Sequence, residues 1–297
     1  MSIPKTIIWD ITSKCNLNCV HCFNSDRYST SLYNAGAELD TTECIAAIKK
    51  IANAQVPHLH LLGGEPLLKS GLLSIIKSAK SYKMCVTINT NGIPLTPSYA
   101  EKLIELEVDQ IVISLDGATP YVNDRLRGRG TFTKILKNII GLKELVERRR
   151  SKMKIGIAFT MTKLNLQDVP MMLQLAKSIK VDIIDIMDIY ISGKAYEVQS
   201  EIHYKLNEKY EALEMMALEM RKRNYGDMVV QLDIPFSVVD YLNWRYFLTL
   251  HFHPRNMWCQ AGERMWYMQA DGRFLPCGMT NNLLYTKEIL QKNEYML

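Results

Sequence analysis

The chain has 297 residues, 47% of them hydrophobic and 23% charged, with a formal net charge of +5. That length buries a full core as one large or two smaller domains, and the composition is ordinary for a soluble globular protein. No run approaches the roughly 20 uninterrupted apolar residues of a membrane span, and Met1 to Asp10 lack the basic region and long apolar core of a signal peptide. The seven Cys are an odd number and three of them cluster at one point. Such usage favours a reducing cytosol and metal-binding thiols over a disulfide framework. The densest basic run, Arg148-Arg149-Arg150-Ser151-Lys152-Met153-Lys154, holds no aromatic residue to stack bases and reads as a solvated turn. The expectation is therefore a cytoplasmic protein with no membrane or nucleic-acid partner.

In chain order, the apolar run Thr6-Ile7-Ile8-Trp9 predicts a strand, and directly after it come Cys15, Cys19 and Cys22. A polar segment from Asn24 to Gly36 reads as irregular. Cys44, Ala47, Ile48 and Ile51 follow helical spacing, which makes Cys44 a core residue. His58 to Leu62 is strand-like and ends at Gly63-Gly64-Glu65-Pro66, where Pro66 suits a first helical turn. Leu68, Leu72, Ile75, Ile76 and Ala79 mark a helix. Met84 to Ile88 is the next strand, ending at Asn89-Thr90-Asn91-Gly92, and Cys85 near its start reads as buried core. A helix around Leu103 to Leu106 leads to the strand Gln110 to Ile113, which ends at Ser114-Leu115-Asp116-Gly117. Phe132, Ile135, Leu136, Ile139 and Val146 mark a helix, Lys154 to Thr160 a strand, Val169 to Ile179 a helix and Val181 to Met187 a sixth strand.

This alternation predicts parallel βαβ units with right-handed crossovers, forming either an open doubly wound sheet or a partial barrel. In both, ligands gather at the carboxyl ends of the strands. The Cys loop and the segments at Gly63, Thr90 and Ser114 should share that rim, with the Arg148 to Lys154 run at the opposite end. From about Ile202 the rhythm changes. A long helix through Leu206, Tyr210, Leu213, Ala217 and Met220 precedes a short strand, Met228 to Leu232, and an apolar segment from Ile234 to Leu250. Ala270-Asp271-Gly272 between two apolar runs predicts a β-hairpin.

Three thiols cannot close a four-ligand structural site, whereas iron–sulfur clusters use one Cys per iron. The spacing suggests a cluster with one iron left for something else. A zinc knot completed by His21 is the bland alternative. The C-x3-C-x2-C pattern of Cys15, Cys19 and Cys22, followed by Gly63-Gly64-Glu65-Pro66, Thr90-Asn91-Gly92 and Ser114/Asp116 at successive strand ends, resembles the signature of the radical S-adenosylmethionine (SAM) enzymes. Asp124 to Gly128, with Gly130 and Phe132, resembles the peptide-modifying and sulfatase-maturing branch.

The resemblance implies a [4Fe-4S] cluster on Cys15, Cys19 and Cys22. It implies SAM contacts at Gly63, Gly64, Glu65, Pro66, Thr90, Asn91, Ser114 and Asp116, with Arg127 facing the SAM carboxylate. Reductive cleavage of SAM would give a 5′-deoxyadenosyl radical that abstracts hydrogen from a substrate carbon, with flavodoxin or ferredoxin as electron donor. It also implies a partial (β/α)6 TIM-like barrel over residues 1–195. Residues 196–297 would be a helical connector and a shortened, twitch-like hairpin and helix region. Cys259, Gly272, Pro276 and Cys277 resemble the opening of the SPASM/twitch extension, but no further Cys follows, so whether Cys259 and Cys277 hold an auxiliary Fe–S cluster stays open; His251 and His253 precede them. The first strand lies near the start of the chain, so a leader-binding module is expected to be absent or on another polypeptide. The expected substrate is a peptide or protein, with a small metabolite as the alternative and an inactive SAM-, metal- or partner-binding protein as the rival of another class. Candidate catalytic groups are Cys85, as a hydrogen-atom donor, and Asp188 and Tyr190 on or after the sixth strand, where Asp185 also lies.

Overall fold

Each strand expected between residues 6 and 187 is present in the computed structural model, which describes residues 3–25, 38–233, 242–243, 245–246, 248, 251–252 and 264–275. The elements are β1 (Thr6–Thr12), α1 (Thr41–Asn53), β2 (His58–Gly63), α2 (Leu72–Ser81), β3 (Cys85–Thr90), α3 (Pro97–Glu105) and β4 (Gln110–Ser114). Next come α4 (Pro120–Arg127), α5 (Thr131–Arg149), β5 (Lys154–Thr160), α6 (Val169–Ser178), β6 (Ile183–Met187), α7 (Lys194–Glu197), α8 (Gln199–Ile202) and α9 (Leu206–Lys222). The last are β7 (Val229–Asp233), β8 (His251–Phe252), β9 (Met265–Met268) and β10 (Phe274–Leu275). Helix starts follow local chemistry. Asp40 and Glu43 form a capping box on α1, and Thr96 and Thr119 cap α3 and α4 just ahead of Pro97 and Pro120.

Strands β1 to β8 stand in chain order, each parallel to the next. β9 adds in parallel to the other edge of β1, and β10 turns back antiparallel on β9. Nine strands are thus parallel, and β8 and β10 are the two edges of an unclosed sheet. A doubly wound sheet would reverse its strand order partway. Here right-handed crossovers repeated in one direction lay the helices on a single face, leaving the other face to line a lumen, as in an incomplete barrel. The outward residues carry the core. Trp9, Leu61, Ile88 and Ile111 meet at matched register, and all four are fully buried.

Strand pairing runs past the sixth strand. β7 pairs with β6 and the β9–β10 hairpin with β1, so the sheet takes in strands from both sides of residue 195. The hairpin turns where expected, at Gly272 with φ +85°, and Gln269 N–H donates to the Arg273 carbonyl at 2.8 Å. Arg148 and Arg149 fill the last turn of α5 and Lys154 opens β5, which puts the basic run at the amino ends of the strands. Cys44 is buried, as its helical stripe predicted. Cys85 is a correction: it opens β3 and is exposed, because the strand starts one residue later than its apolar run and Met84 fills the core position.

Candidate functional site

The chain leaves β1 at Thr12 and enters the Cys15–Cys22 loop, which neighbouring strand ends clasp from three sides. Gly64 N–H donates to the Thr12 carbonyl at 2.8 Å and Glu65 N–H to the Lys14 carbonyl at 2.7 Å. Val20 N–H donates to Leu126 O at the end of α4, and Lys194 N–H to Cys22 O at 3.1 Å. Gly63, at φ +136°, and Gly64 lie so close that a Cβ would stand 2.4 Å from the Thr12 oxygen and 2.3 Å from the Lys14 oxygen, respectively. Only glycine permits that approach.

Two polar side chains face the thiols. Asn91 Nδ2 lies 3.8 Å from Cys15 Sγ and donates to Asn16 Oδ1 at 2.8 Å, while an Arg127 terminal nitrogen lies 4.0 Å from Cys19 Sγ. Burial pushes the Cys19 thiol up to about 11, against the pull of the Arg127 guanidinium. Burial likewise raises Cys15. Thiolates at this loop must therefore be stabilised by what binds them.

Arg127 is itself held by a buried carboxylate. Asp116 Oδ2 lies 2.5 Å from Arg127 Nε and 2.9 Å from His21 Nε2, and Asp116 Oδ1 accepts from Thr160 N–H at 2.8 Å. Asp116 is fully buried. Burial alone would raise its pKa, but Arg127, then His21 and the Thr160 bond, hold it well below the usual carboxylate range. Asn123 Oδ1 accepts from Asp116 N–H, and Asp124 accepts from Gly130 and Phe132 N–H, so the α4–α5 junction is knotted into the shape that aims Arg127.

Glu65 is also fully buried. It accepts from Thr90 Oγ1 and Asn91 N–H at 2.7 Å each and from Leu67 N–H at 3.0 Å. Burial raises its pKa in spite of these bonds. Its carboxylate therefore ties the end of β2 to that of β3 and orients Asn91 toward Cys15. Pro66 opens a short 3-10 turn, and Ser114 ends β4.

Of the catalytic candidates, Cys85 lies at the far end of β3 from the Cys loop, about 16 Å of strand from Thr90. Asp188 is engaged by the Lys209 ammonium and the Tyr204 hydroxyl, which tethers the segment after β6 to α9. Tyr190 stands at the rim, its ring 6.4 Å from that of Phe23, and donates to Asp233 Oδ2 at 3.0 Å. Cys259, Cys277, His253 and Pro276 lie outside the described residues, as do the side chain of His251 and most of the Asn24 to Gly36 segment.

Sequence reasoning missed Asn123, Thr160 and the Gly193-Lys194 turn. All support the site through backbone bonds or close approach, which carry no spacing signal. A Cβ on Gly193 would stand 2.6 Å from Cys22 O.

The donor set is three thiols in one eight-residue loop, the ligand type that holds an iron–sulfur cluster. Among the described residues no three His, Cys, Asp or Glu side chains are grouped to hold a single metal ion; His21 gives its Nε2 to Asp116, and its Nδ1 is buried with no hydrogen-bond partner. With a cation against Cys19 and an amide against Cys15, the loop suits a negatively charged sulfur centre.

The chain resembles several known proteins. The chain is 36% identical over 177 residues to the AdoMet-dependent heme synthase of Methanosarcina barkeri, covering 59% of this chain and 48% of that one. It is 25% identical over 277 residues to the PqqA peptide cyclase of Rhizobium meliloti, covering 92% and 67%. The fold superposes on Streptococcus suis SuiB bound to S-adenosylmethionine with a TM-score of 0.75 at 18% identity, over 99% of this chain and 65% of SuiB. The chain thus spans about half the length of the heme synthase and about two thirds of the other two. Residues 9–176, more than half the chain and the part that builds the Cys loop and the strand ends around it, match the family model described as Radical SAM superfamily, and the chain belongs to that superfamily.

Proposed function

We propose that this protein holds a [4Fe-4S] cluster on Cys15, Cys19 and Cys22, binds SAM at the rim above it, and abstracts hydrogen from a peptide or protein substrate. The observation that carries the reading is the placement of Asn91, from the end of β3, against Cys15 and of Arg127, from the end of α4, against Cys19, in the one loop that also holds Cys22. When bound, the cluster would supply the electron that cleaves SAM reductively. The chain's own residues do the rest. Cys15, Cys19 and Cys22 would hold the cluster with three thiolates, one fewer than its irons. Asp116 takes the Arg127 Nε, so that a terminal nitrogen stands 4.0 Å from Cys19 Sγ, and the guanidinium would face the carboxylate of bound SAM. Glu65 holds Asn91 in place, and Gly63-Gly64 brings backbone close to the loop. His21, Asn91 and Arg127 are each buried, while Cys15 stays exposed on the rim.

A peptide substrate is supported by the PqqA peptide cyclase match and by the likeness to SuiB, which is also solved bound to precursor peptide SuiA. The identity to a heme synthase favours a second reading, a tetrapyrrole or other metabolite. The electron donor would be a small flavodoxin- or ferredoxin-like protein, and Cys259 with Cys277 would hold any auxiliary cluster.

The test is iron and sulfide content after anaerobic reconstitution, then 5′-deoxyadenosine release with reductant. About four irons per chain, lost in the Cys15→Ala/Cys19→Ala/Cys22→Ala variant, support the cluster assignment. Iron retained by that variant assigns it to another site. Zinc in place of iron overturns the radical reading. Release stimulated by peptides and not by porphyrins supports the peptide reading, the reverse supports the second, and SAM binding without cleavage retires both.

A further inference from the structure

Thr12, Ser13 and Lys14 lead from the end of β1 into Cys15, and a carboxylate from outside the strands holds them. Glu38 stands just ahead of α1. Its Oε1 accepts from Ser13 N–H at 2.7 Å and from the Ser13 hydroxyl, and its Oε2 accepts from the Thr12 hydroxyl at 3.0 Å. The Lys69 ammonium, just past the 3-10 turn that Pro66 opens, lies 3.4 Å from Oε2. Burial would raise the Glu38 pKa, but the Ser13 bonds, then Thr12 and Lys69, hold it below the ordinary carboxylate value. Lys14 N–H reaches Thr12 Oγ1 at 3.2 Å. With the Thr12 and Lys14 carbonyls already bonded to Gly64 and Glu65 N–H, the chain is gripped on both sides up to the residue before Cys15.

Glu38 is itself fixed through its neighbours. Leu39 N–H donates to Ala270 O at 2.9 Å in the β9–β10 turn, Lys69 Nζ donates to Leu39 O at 2.6 Å, and Asp40 caps α1. A Cβ on Gly272 would stand 3.1 Å from Leu39 Cδ1, so the hairpin also packs on that side chain.

We propose that Glu38 is a positioning residue for the cluster assigned above: it fixes the path of the chain into Cys15, and so the place of that thiolate. Cys15 is exposed, so burial does not hold it, and the bonds just ahead of it must. Those bonds are charge-assisted and stronger than neutral ones, and residues behind metal ligands commonly set ligand orientation. The loop's other end has the same arrangement: Asp116, paired with Arg127, grips His21 beside Cys22, as Glu38, paired with Lys69, grips Ser13 ahead of Cys15.

Three variants test this. Glu38→Ala removes the acceptors, Glu38→Gln keeps an oxygen for Ser13, and Ser13→Ala removes only the hydroxyl. Hydrogen exchange at the Ser13 amide, followed by NMR in iron-free protein, reads the grip. Iron content and the EPR spectrum of the reduced, reconstituted protein read its effect on the cluster. Glu38→Ala should exchange Ser13 about tenfold faster than wild type and, once loaded, show shifted g-values. Ser13→Ala should give a smaller shift in the same direction, and Glu38→Gln should stay at wild-type values in both readouts. Iron lost in Glu38→Ala and kept in Glu38→Gln also supports the role. Unchanged Ser13 exchange in Glu38→Ala, or faster exchange with a wild-type spectrum, overturns it. Should Glu38→Ala fail to fold, a wild-type spectrum in Ser13→Ala overturns it and a shifted one supports it. Wild type that takes up no iron retires the cluster assignment and this role with it. Wild type with about four irons and variants indistinguishable from it overturn the role of Glu38 alone.

Discussion

Replacing Asp116 with Asn removes the anion that neutralises Arg127 inside the protein. Asp116 is fully buried and Arg127 nearly so, and their atoms meet at 2.5 Å. Removing one partner of such a pair costs about 3–5 kcal/mol, because the other charge stays buried without compensation. Taking a urea slope of about 3 kcal/mol/M for a chain of this size, the unfolding midpoint of iron-free protein should fall by about 1 M or more. Iron-free protein is used so that unfolding is not coupled to cluster release. The double variant Asp116→Asn/Arg127→Gln removes both charges and should be less damaging than Asp116→Asn alone. The pH dependence carries a sign. The folded pKa of Asp116 is depressed, so its stabilisation is fully present above the ordinary carboxylate value of about 4 and is lost as pH falls from there toward the folded pKa. Wild type should therefore lose more stability than Asp116→Asn between pH 5 and pH 3. A single variant within about 1 kcal/mol of wild type, or two substitutions that simply add, would refute the assignment of Asp116 as the counter-ion of Arg127.

Three further outcomes follow from the same geometry. Gly64→Ala drives a Cβ to 2.3 Å from the Lys14 oxygen, so the Cys loop must shift, and iron content after reconstitution should fall below half of wild type. Asp188→Asn leaves the nearly buried Lys209 ammonium without its anion and should lower unfolding stability by about 1–3 kcal/mol, with iron content unchanged, because that pair braces α9 rather than the rim. Cys85→Ser should leave both iron content and 5′-deoxyadenosine release unchanged. A loss of turnover with intact iron would return Cys85 to the chemistry despite its place at the amino end of β3.

The rim was legible in the sequence because strand-end motifs are local. A strand that stops at Gly63-Gly64 or Thr90-Asn91 announces both its own end and the ligand face, and β1 to β6 fell within a few residues of their apolar runs. What carried no signal was anything joined across long sequence gaps through a backbone group. Thr160 meets Asp116 from another strand, Lys194 meets Cys22 from the segment after β6, and β9 joins β1 from the far end of the chain. Asp188 shows the converse. Its position after β6 suggested a substrate-side base, but Lys209 and Tyr204, on and just before a helix that the strand pattern could not place, engage it.

The same distinction explains how Asp116 and Glu65 came to stand behind the rim. Motif spacing can say that a carboxylate sits at a strand end, but not which way it turns. The deciding quantity is the cost of burying charge, which is large unless the charge is paired. Asp116 can sit fully buried because Arg127 and His21 both reach it. Glu65 has three hydrogen-bond donors and, among the described residues, no salt-bridge partner, and its pKa is raised rather than lowered. Two acids in equivalent strand-end positions thus have opposite electrostatics. One delivers a cation to the thiols, and the other fixes the amide beside them. Each reaches the thiols through a second side chain, Arg127 for Asp116 and Asn91 for Glu65, while Asp116 also grips the loop directly at His21.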